Sequence, residues 1–203
     1  MSYAHAFRYA PRSEPFRRAW PRMVADAARI VGYVASTGVA LRSRTGYRAP
    51  EFDRSDAGLI AFNGSGRHRE RRDPFVIRPT PPDPRRDPLP ASRYDDDGFV
   101  SGFCDTDRAP YDVAVTAVLL RCQILAPTAF TIAGAGAWDR EWRHGAMIWS
   151  TDLIPPVTPP LAIAARTVVA ELFGRTIARC PFTTAGPEER DAPRMPATQP
   201  PTE

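Results

Sequence analysis

The chain contains no lysine and a single asparagine, Asn63, although it carries 27 basic residues, all of them arginine. Lysine and asparagine codons are A-rich and most arginine codons are G/C-rich, so the two absences indicate a GC-rich genome. Because mutational bias alone can select arginine as the cation, the net charge of +4 does not by itself establish nucleic-acid binding.

Cysteine is scarce, with Cys104, Cys122 and Cys180 far apart in the sequence. An odd, low count argues against a secreted disulfide framework, and no CxxC or Cys/His spacing suits zinc. We therefore predict no metal site and no cofactor. The longest apolar run, 113–120, is well short of the ~18 residues that a membrane span requires. We expect a cytoplasmic protein without a membrane partner, with an arginine-rich organellar leader as the alternative.

Proline is abundant, at 23 residues, and most of these cluster at 79–90, at 155–160 and after 181. Proline lacks a backbone donor and restricts the preceding residue, so these segments are expected to be loops and tails. Residues 1–50 hold nine arginines against Glu14 and Asp26, which makes this part strongly basic. The composition predicts three regions: a basic N-terminal arm with one amphipathic helix (1–56), an α+β domain with a proline-rich loop at 79–98 (57–174) and a disordered tail (175–203).

Apolar spacing predicts the individual elements. The arm is expected to be irregular over 1–20, helical from Pro21 to either Gly38 or Gly32, and a linker over 38–56. The Asn-Gly-Ser-Gly sequence at 63–66 is typical of a turn. We expect a hairpin of residues 57–62 and 74–78 around a polar tip at 63–73, further strands at 99–104 and 130–133, and helices at 138–149 and 161–173.

Residues 110–126 are apolar nearly all round, and the run is too long for one strand. We predict a buried helix, with Asp107 as its cap and Asp112 in its first turn. The fold class that follows is α+β, a small antiparallel sheet packed on two or three helices, with the extra N-terminal helix and the disordered proline-rich tail beside it.

Three further motifs stand in the central part of the chain. They are a Phe-Asn-Gly turn after a strand at 62–64, a Phe-Cys-x-Thr step at 103–106 into a Pro-Tyr-Asp helix start at 110–112, and a closing helix that ends in Leu-Phe-Gly at 172–174. In these features the chain resembles small proteins of actinobacteria and their phages that carry no assigned activity. The resemblance covers 57–174 with gaps. It implies a bacterial or phage origin and an intracellular setting, and it supplies no catalytic residue.

An arginine cluster occupies the proposed hairpin tip. Arg67, Arg69, Arg71 and Arg72 are candidates for contact with nucleic acid or with an acidic partner, because several guanidinium groups on one loop can neutralise phosphates. The alternative is a solvated loop in an arginine-biased protein. Single-strand binding would favour aromatic residues placed between the arginines. The sequence has none between these arginines.

Three tryptophans follow the expected strand at 130–133, at near-helical spacing. Trp138, Trp142 and Trp149 are candidate interface residues if they remain exposed, since tryptophan is enriched at binding hot spots. Tryptophans at this spacing are more often part of a core.

An enzymatic interpretation has little support. Cys104 is a candidate nucleophile only if His68 or His144 folds beside it. The aspartates at 95–97 suit a solvated turn, and Asp105 suits a helix entrance. The sequence at 63–66 lacks the pattern of a phosphate-binding loop. We assign no catalytic residue.

Three functional hypotheses follow. The first is a non-enzymatic accessory or interaction protein with a protein partner. The second is a nucleic-acid-associated protein that uses its arginine-rich segments. The third is an enzyme of unrecognised type.

Overall fold

The computed structural model describes residues 3–65, 71–80, 95, 97–144 and 163–182. Its strands pair antiparallel and its helices pack beside them, which confirms the α+β class. The helices are α1 (Glu14–Ser36), α2 (Asp112–Leu125), α3 (Glu141–His144) and α4 (Ala165–Phe173). The strands are β1 (Ala4–Tyr9), β2 (Leu41–Arg42), β3 (Glu51–Phe52), β4 (Ile60–Gly64), β5 (Phe75–Ile77), β6 (Val100–Asp105) and β7 (Phe130–Gly134).

β1 is the central strand of a three-stranded sheet and pairs with β6 and β7. The sequence-based expectation of an irregular segment over 1–20 is therefore wrong. His5, Phe7 and Tyr9 alternate with more exposed residues, and this period of two suits a strand with one buried face. The ring of Phe7 stacks on Phe130 of β7 with 6.0 Å between centroids, so the strand is fixed by aromatic packing as well as by its ladder.

β4 pairs with β2, β3 and β5, and the predicted hairpin is confirmed as the β4–β5 pair. Two features differ from the sequence analysis. The expected linker over 38–56 contributes the short strands β2 and β3. Asn63 and Gly64 close strand β4 and are buried, so they do not form the exposed turn that their sequence suggests. The backbone N–H of Asp73 donates to the carbonyl of Asp105 at 3.1 Å, which joins this sheet segment to β6.

α1 begins earlier than Pro21, the residue that was expected to start it. Ser13 is the N-cap, and its Oγ accepts a hydrogen bond from the N–H of Phe16 at 3.3 Å. Pro21 lies inside the helix on its exposed side. The helix continues through it because apolar residues on both sides of Pro21 are buried in the core. They include Phe16, Trp20, Met23, Ala27, Ile30 and Val34.

α2 is confirmed as the buried helix, with side chains from Ala114 to Cys122 packed on all sides. It lies against α1, α4 and β7. Asp107 does not cap it: Tyr111 holds the N-cap position without a side-chain hydrogen bond. Asp107 instead lies in the preceding turn at a φ of 44°. Asp112 occupies the first turn as expected.

The helices α1, α2 and α4 meet at a buried ion pair. Oδ2 of Asp26 accepts a hydrogen bond from Nε of Arg121 at 2.8 Å, and Nη2 of the same guanidinium lies 2.7 Å from this oxygen. The same guanidinium lies 4.1 Å from the ring centroid of Phe173. Because α1 joins this contact and β1 is the middle of a sheet, residues 1–56 share one core with the domain, and the expected separation into an arm is wrong.

The C-terminal part is only partly described. α4 ends at Gly174, whose φ of 62° is the left-handed conformation that the sequence predicts there. α3 begins at Glu141, later than the expected start of a helix over 138–149, whose last five residues lie outside the described ranges. Residues 175–182, which were predicted to be part of the tail, lie within the described ranges, and Phe182 forms a bridge with Ile132. Residues 183–203 lie outside the described part. None of the helices in the described ranges is long and apolar enough to span a bilayer.

Candidate functional site

A tight turn after β2 presents charged and aromatic side chains to solvent. The N–H of Ser43 donates to the carbonyl of Arg48 at 2.7 Å, and the N–H of Gly46 donates to the carbonyl of Ser43 at 2.8 Å. Gly46 adopts a φ of 82°, which explains the glycine at this sharp reversal. The side chains of Arg44, Tyr47 and Arg48 are exposed on this turn.

Asn63 holds this turn against the segment that leads into β5. Its Nδ2 donates to the carbonyl of Arg72 at 2.9 Å and to the carbonyl of Arg44 at 3.5 Å, and its Oδ1 accepts from the N–H of Gly64. The side chain is buried, so it is an internal brace between two surface segments. This explains why the one asparagine of the chain stands at this position.

Arg71 bridges the same two segments from the outside. Its Nη1 donates to the carbonyl of Thr45 at 2.7 Å, and its guanidinium carbon lies 5.8 Å from the ring centroid of Tyr47. The turn and the residues before β5 therefore form one surface, which we call the basic turn surface. Its members are Arg44, Tyr47, Arg48, Arg71 and Arg72.

The charges on the basic turn surface are only partly compensated. Arg44 pairs with Glu51 at 3.2 Å, and Arg72 pairs with Asp107 at 3.0 Å. Within the described ranges, the ion pairs include neither Arg48 nor Arg71. Both side chains are exposed, and the guanidinium group of Arg71 lies beside the ring of Tyr47.

Tyr47 is 74 % exposed, the most exposed large hydrophobic side chain among the residues that the structure describes. The other exposed large hydrophobic side chain in the described ranges is Phe103 on β6, at 57 %. The sequence shows no aromatic residue between the arginines of the hairpin tip, but the fold brings Tyr47 beside Arg71 from a segment more than twenty residues earlier.

Of the arginines that the sequence analysis singled out, Arg71 and Arg72 lie on the basic turn surface. Arg67 and Arg69 lie outside the described ranges. The partners of Arg71 and Arg72 are the Thr45 carbonyl and the Asp107 carboxylate, neither of which the local sequence indicates.

The tryptophans are not exposed anchors in the part of the chain that the structure describes. Trp138 and Trp142 are buried, and Nε1 of Trp142 donates to the carbonyl of Ala135 at 3.0 Å. The ring of Phe182 packs on both, with centroids 5.7 and 4.8 Å away. The interface assignment for these two residues is therefore wrong, because the chain beyond α4 returns to cover them. Trp149 lies outside the described ranges.

A second cluster of ionisable groups is fully internal. Nε2 of His5 lies 2.7 Å from Oδ1 of Asp112, and the hydroxyl of Thr106 donates to the same oxygen. Nδ1 of His5 is buried and has no hydrogen-bond partner among the described residues. The imidazole packs edge-on against the rings of Tyr3 and Trp142. Sequence reasoning missed this pair because its members are 107 positions apart.

The strand register sets His5 opposite Cys104, which brings an acid, an imidazole and a thiol into one neighbourhood. These three groups do not form an acid–imidazole–thiol chain of hydrogen bonds. The Cys104 thiol donates to the carbonyl of Asp73 at 3.4 Å, and Nε2 of His5 is held by Asp112. Burial raises the pKa of the Cys104 thiol well above its usual range, so the thiolate is disfavoured.

The hydroxyl of Tyr111 is tied to the same internal region. It donates to the carbonyl of Asp73 at 2.7 Å, and burial raises its pKa. A cavity of about 10 Å³ adjoins Tyr3, Asp112, Glu141 and Trp142. That volume is about the size of one water molecule and does not accept an organic substrate.

The aspartates behave as capping and pairing groups. Oδ1 of Asp95 accepts hydrogen bonds from the N–H groups of Asp97 and Phe99 at 3.1 and 2.8 Å, as a turn residue does. No set of three or more His, Cys, Asp or Glu side chains in the described ranges could hold a metal ion. His144 is exposed at the end of α3, and His68 lies outside the described ranges.

Comparison of the chain with protein-family models, with curated proteins and with solved structures gives no match. The contacts and charges of this chain therefore carry the functional argument.

Proposed function

We propose that this protein is a non-enzymatic binding protein whose basic turn surface docks a polyanionic partner. The observation that supports the proposal most directly is the exposed ring of Tyr47 beside the guanidinium group of Arg71, with the exposed Arg48 next to Tyr47 in the chain. Within the described ranges, neither arginine forms an ion pair. Polyanions are attracted to such a surface by Coulomb forces and release counterions on binding.

The surface is held in place before any partner arrives. Asn63 braces the backbone from inside, and Arg71 ties the two segments from outside. A preorganised surface loses less conformational entropy on binding than a mobile loop does. This rigidity favours a binding role over a merely solvated loop.

The internal ionisable groups support a structural role rather than catalysis. Cys104, His5 and Asp112 are buried. His5 and Asp112 hydrogen-bond to each other, and the Cys104 thiol donates to the carbonyl of Asp73. A nucleophile needs access to substrate and a stabilised anionic form, and burial works against both for Cys104. We therefore place the function on the surface.

The setting that we propose is an accessory protein of a GC-rich bacterium or phage, acting in the cytoplasm. The absence of lysine from a chain with 27 basic residues supports the GC-rich origin.

Retention on heparin at a series of salt concentrations tests the proposal. The double variant Arg48→Gln/Arg71→Gln should elute at clearly lower salt than the wild type, because two phosphate or sulfate contacts are lost. The matched control is Arg17→Gln/Arg179→Gln, which removes the same charge at exposed positions elsewhere. Equal elution of the two double variants, or no retention of the wild type at low salt, would refute the proposed function.

A further inference from the structure

We infer that the ligand of the basic turn surface is a single-stranded nucleic acid, with one base stacked on Tyr47 and neighbouring phosphates held by Arg48 and Arg71. The inference rests on the proposed function and narrows the partner to one chemical class. Single strands are bound by aromatic rings that stack on bases beside a basic track that follows the backbone.

The arrangement supplies both parts. Tyr47 extends from its turn with 74 % of its surface in solvent, so an aromatic face is open to a base. The guanidinium of Arg71 is fixed beside the ring by the Thr45 carbonyl, and Arg48 directly follows Tyr47 in the chain. Stacking and phosphate contacts are therefore within reach of one short stretch of ligand.

An intact duplex fits this surface less well. Its bases are stacked on each other and are read through the grooves, usually by a helix or a two-stranded ribbon. The basic turn surface offers a short turn with one protruding ring, and no helix among the described elements belongs to it. A duplex would engage the arginines and leave the tyrosine face unused.

An acidic polypeptide would also use only the arginines. Carboxylates pair with guanidinium groups, but they give an exposed aromatic face nothing to stack on. The contribution of Tyr47 therefore separates a nucleic-acid ligand from an acidic protein, and it does so without changing the charge of the surface.

Fluorescence anisotropy with labelled oligonucleotides tests the inference on the full chain. The probes are oligothymidylate, oligouridylate of the same length, and a duplex of the same length, with polyglutamate as competitor. The thymidylate and uridylate arms distinguish DNA from RNA. The proteins are the wild type, Tyr47→Ala, Tyr47→Phe and Arg48→Gln/Arg71→Gln. Thermal unfolding confirms that the exposed substitutions leave the fold intact.

We expect Tyr47→Ala to weaken single-strand binding about tenfold, which corresponds to about 1.4 kcal/mol of stacking. Tyr47→Phe should stay near wild type because it keeps the ring. Tyr47→Ala should not change the slope of log affinity against log salt, whereas the double arginine variant should reduce that slope by about 1.4, or about 0.7 for each lost phosphate contact on a single strand.

Three results would overturn the inference: a Tyr47→Ala affinity equal to wild type, a duplex that binds as tightly as the single strands, or polyglutamate that outcompetes the oligonucleotides at equal salt. If any of these occurs while heparin retention still depends on Arg48 and Arg71, the proposed function stands and only the ligand class is wrong. If no polyanion is retained, both fail.

Discussion

Removal of the Asp26 carboxylate should be among the most damaging single changes in the helical core. The Asp26 side chain is 2 % exposed, and its Oδ2 lies within 2.9 Å of nitrogens on both Arg121 and Arg22. Arg121 is itself 8 % exposed and packs on Phe173. Asp26→Ala leaves a buried guanidinium without its counter-charge, and breaking one partner of such a pair costs about 3–5 kcal/mol.

The neighbouring Arg22→Ala variant is the matched control. Its side chain is 60 % exposed, and Asp26 keeps Arg121 when Arg22 is removed. A solvent-exposed ion pair contributes about 1 kcal/mol or less, so this variant should stay close to wild type. The double variant Asp26→Leu/Arg121→Leu should recover much of the loss of Asp26→Ala, because an apolar pair leaves no charge unpaired.

Urea unfolding followed by far-ultraviolet circular dichroism gives the free energies of unfolding for all four proteins. The reasoning is refuted if Asp26→Ala loses no more stability than Arg22→Ala, since the buried pair would then contribute no more than an exposed one.

Three further predictions concern the brace, the packing and the pH dependence. Asn63→Ala should cost about 1–3 kcal/mol in urea unfolding and lower heparin retention, because two surface carbonyls lose their buried amide donor; unchanged retention would argue against the brace. Gly134→Ala should cost about 1–3 kcal/mol, because its Cβ would lie 2.6 Å from Trp142, whereas Gly32→Ala on the exposed side of α1 should gain about 1 kcal/mol; similar melting temperatures for the two would contradict the packing. Burial raises the pKa of the Cys104 and Cys122 thiols above the ordinary 9.0, so these thiols ionise at lower pH in the unfolded chain than in the folded protein. The free energy of unfolding should therefore be constant below about pH 9 and fall above it, by on the order of 1 kcal/mol per pH unit for each thiol. A free energy of unfolding that does not change with pH in this range, measured under reducing conditions, would refute this prediction.

Much of the fold follows from local pattern. The all-round apolar run of α2 predicts a buried helix, the paired apolar runs before and after the hairpin tip predict β4 and β5, and Gly174 predicts the end of α4. These elements were predictable because each is specified by neighbouring residues, through periodicity or backbone conformation.

The N-terminal strand was not predictable in the same way. His5, Phe7 and Tyr9 alternate over only a few residues, and the prolines and arginines that follow resemble a loop. What makes β1 a strand is its pairing with β6 and β7, about a hundred residues away. The predicted start of α1 at Pro21 was wrong for a related reason. Tertiary packing of the residues on both sides of Pro21 outweighs the local penalty of proline inside a helix.

The candidate site shows the same limit. The arginines at 71 and 72 stand out in the sequence, but the exposed ring that lies beside Arg71 comes from the turn after β2. Asn63 looks like a turn residue, and only the fold reveals it as a buried brace between two surface segments. Long-range contacts of this kind have no local pattern from which to read them.

The most direct test of the binding surface is a heteronuclear NMR titration of the full chain with oligothymidylate. Our account predicts that the largest amide shifts lie in residues 43–48 and 71–73, with little change in α4, and that Tyr47→Ala shrinks the shifts of this surface. Saturable shifts centred on another surface, or none at low salt, would contradict it.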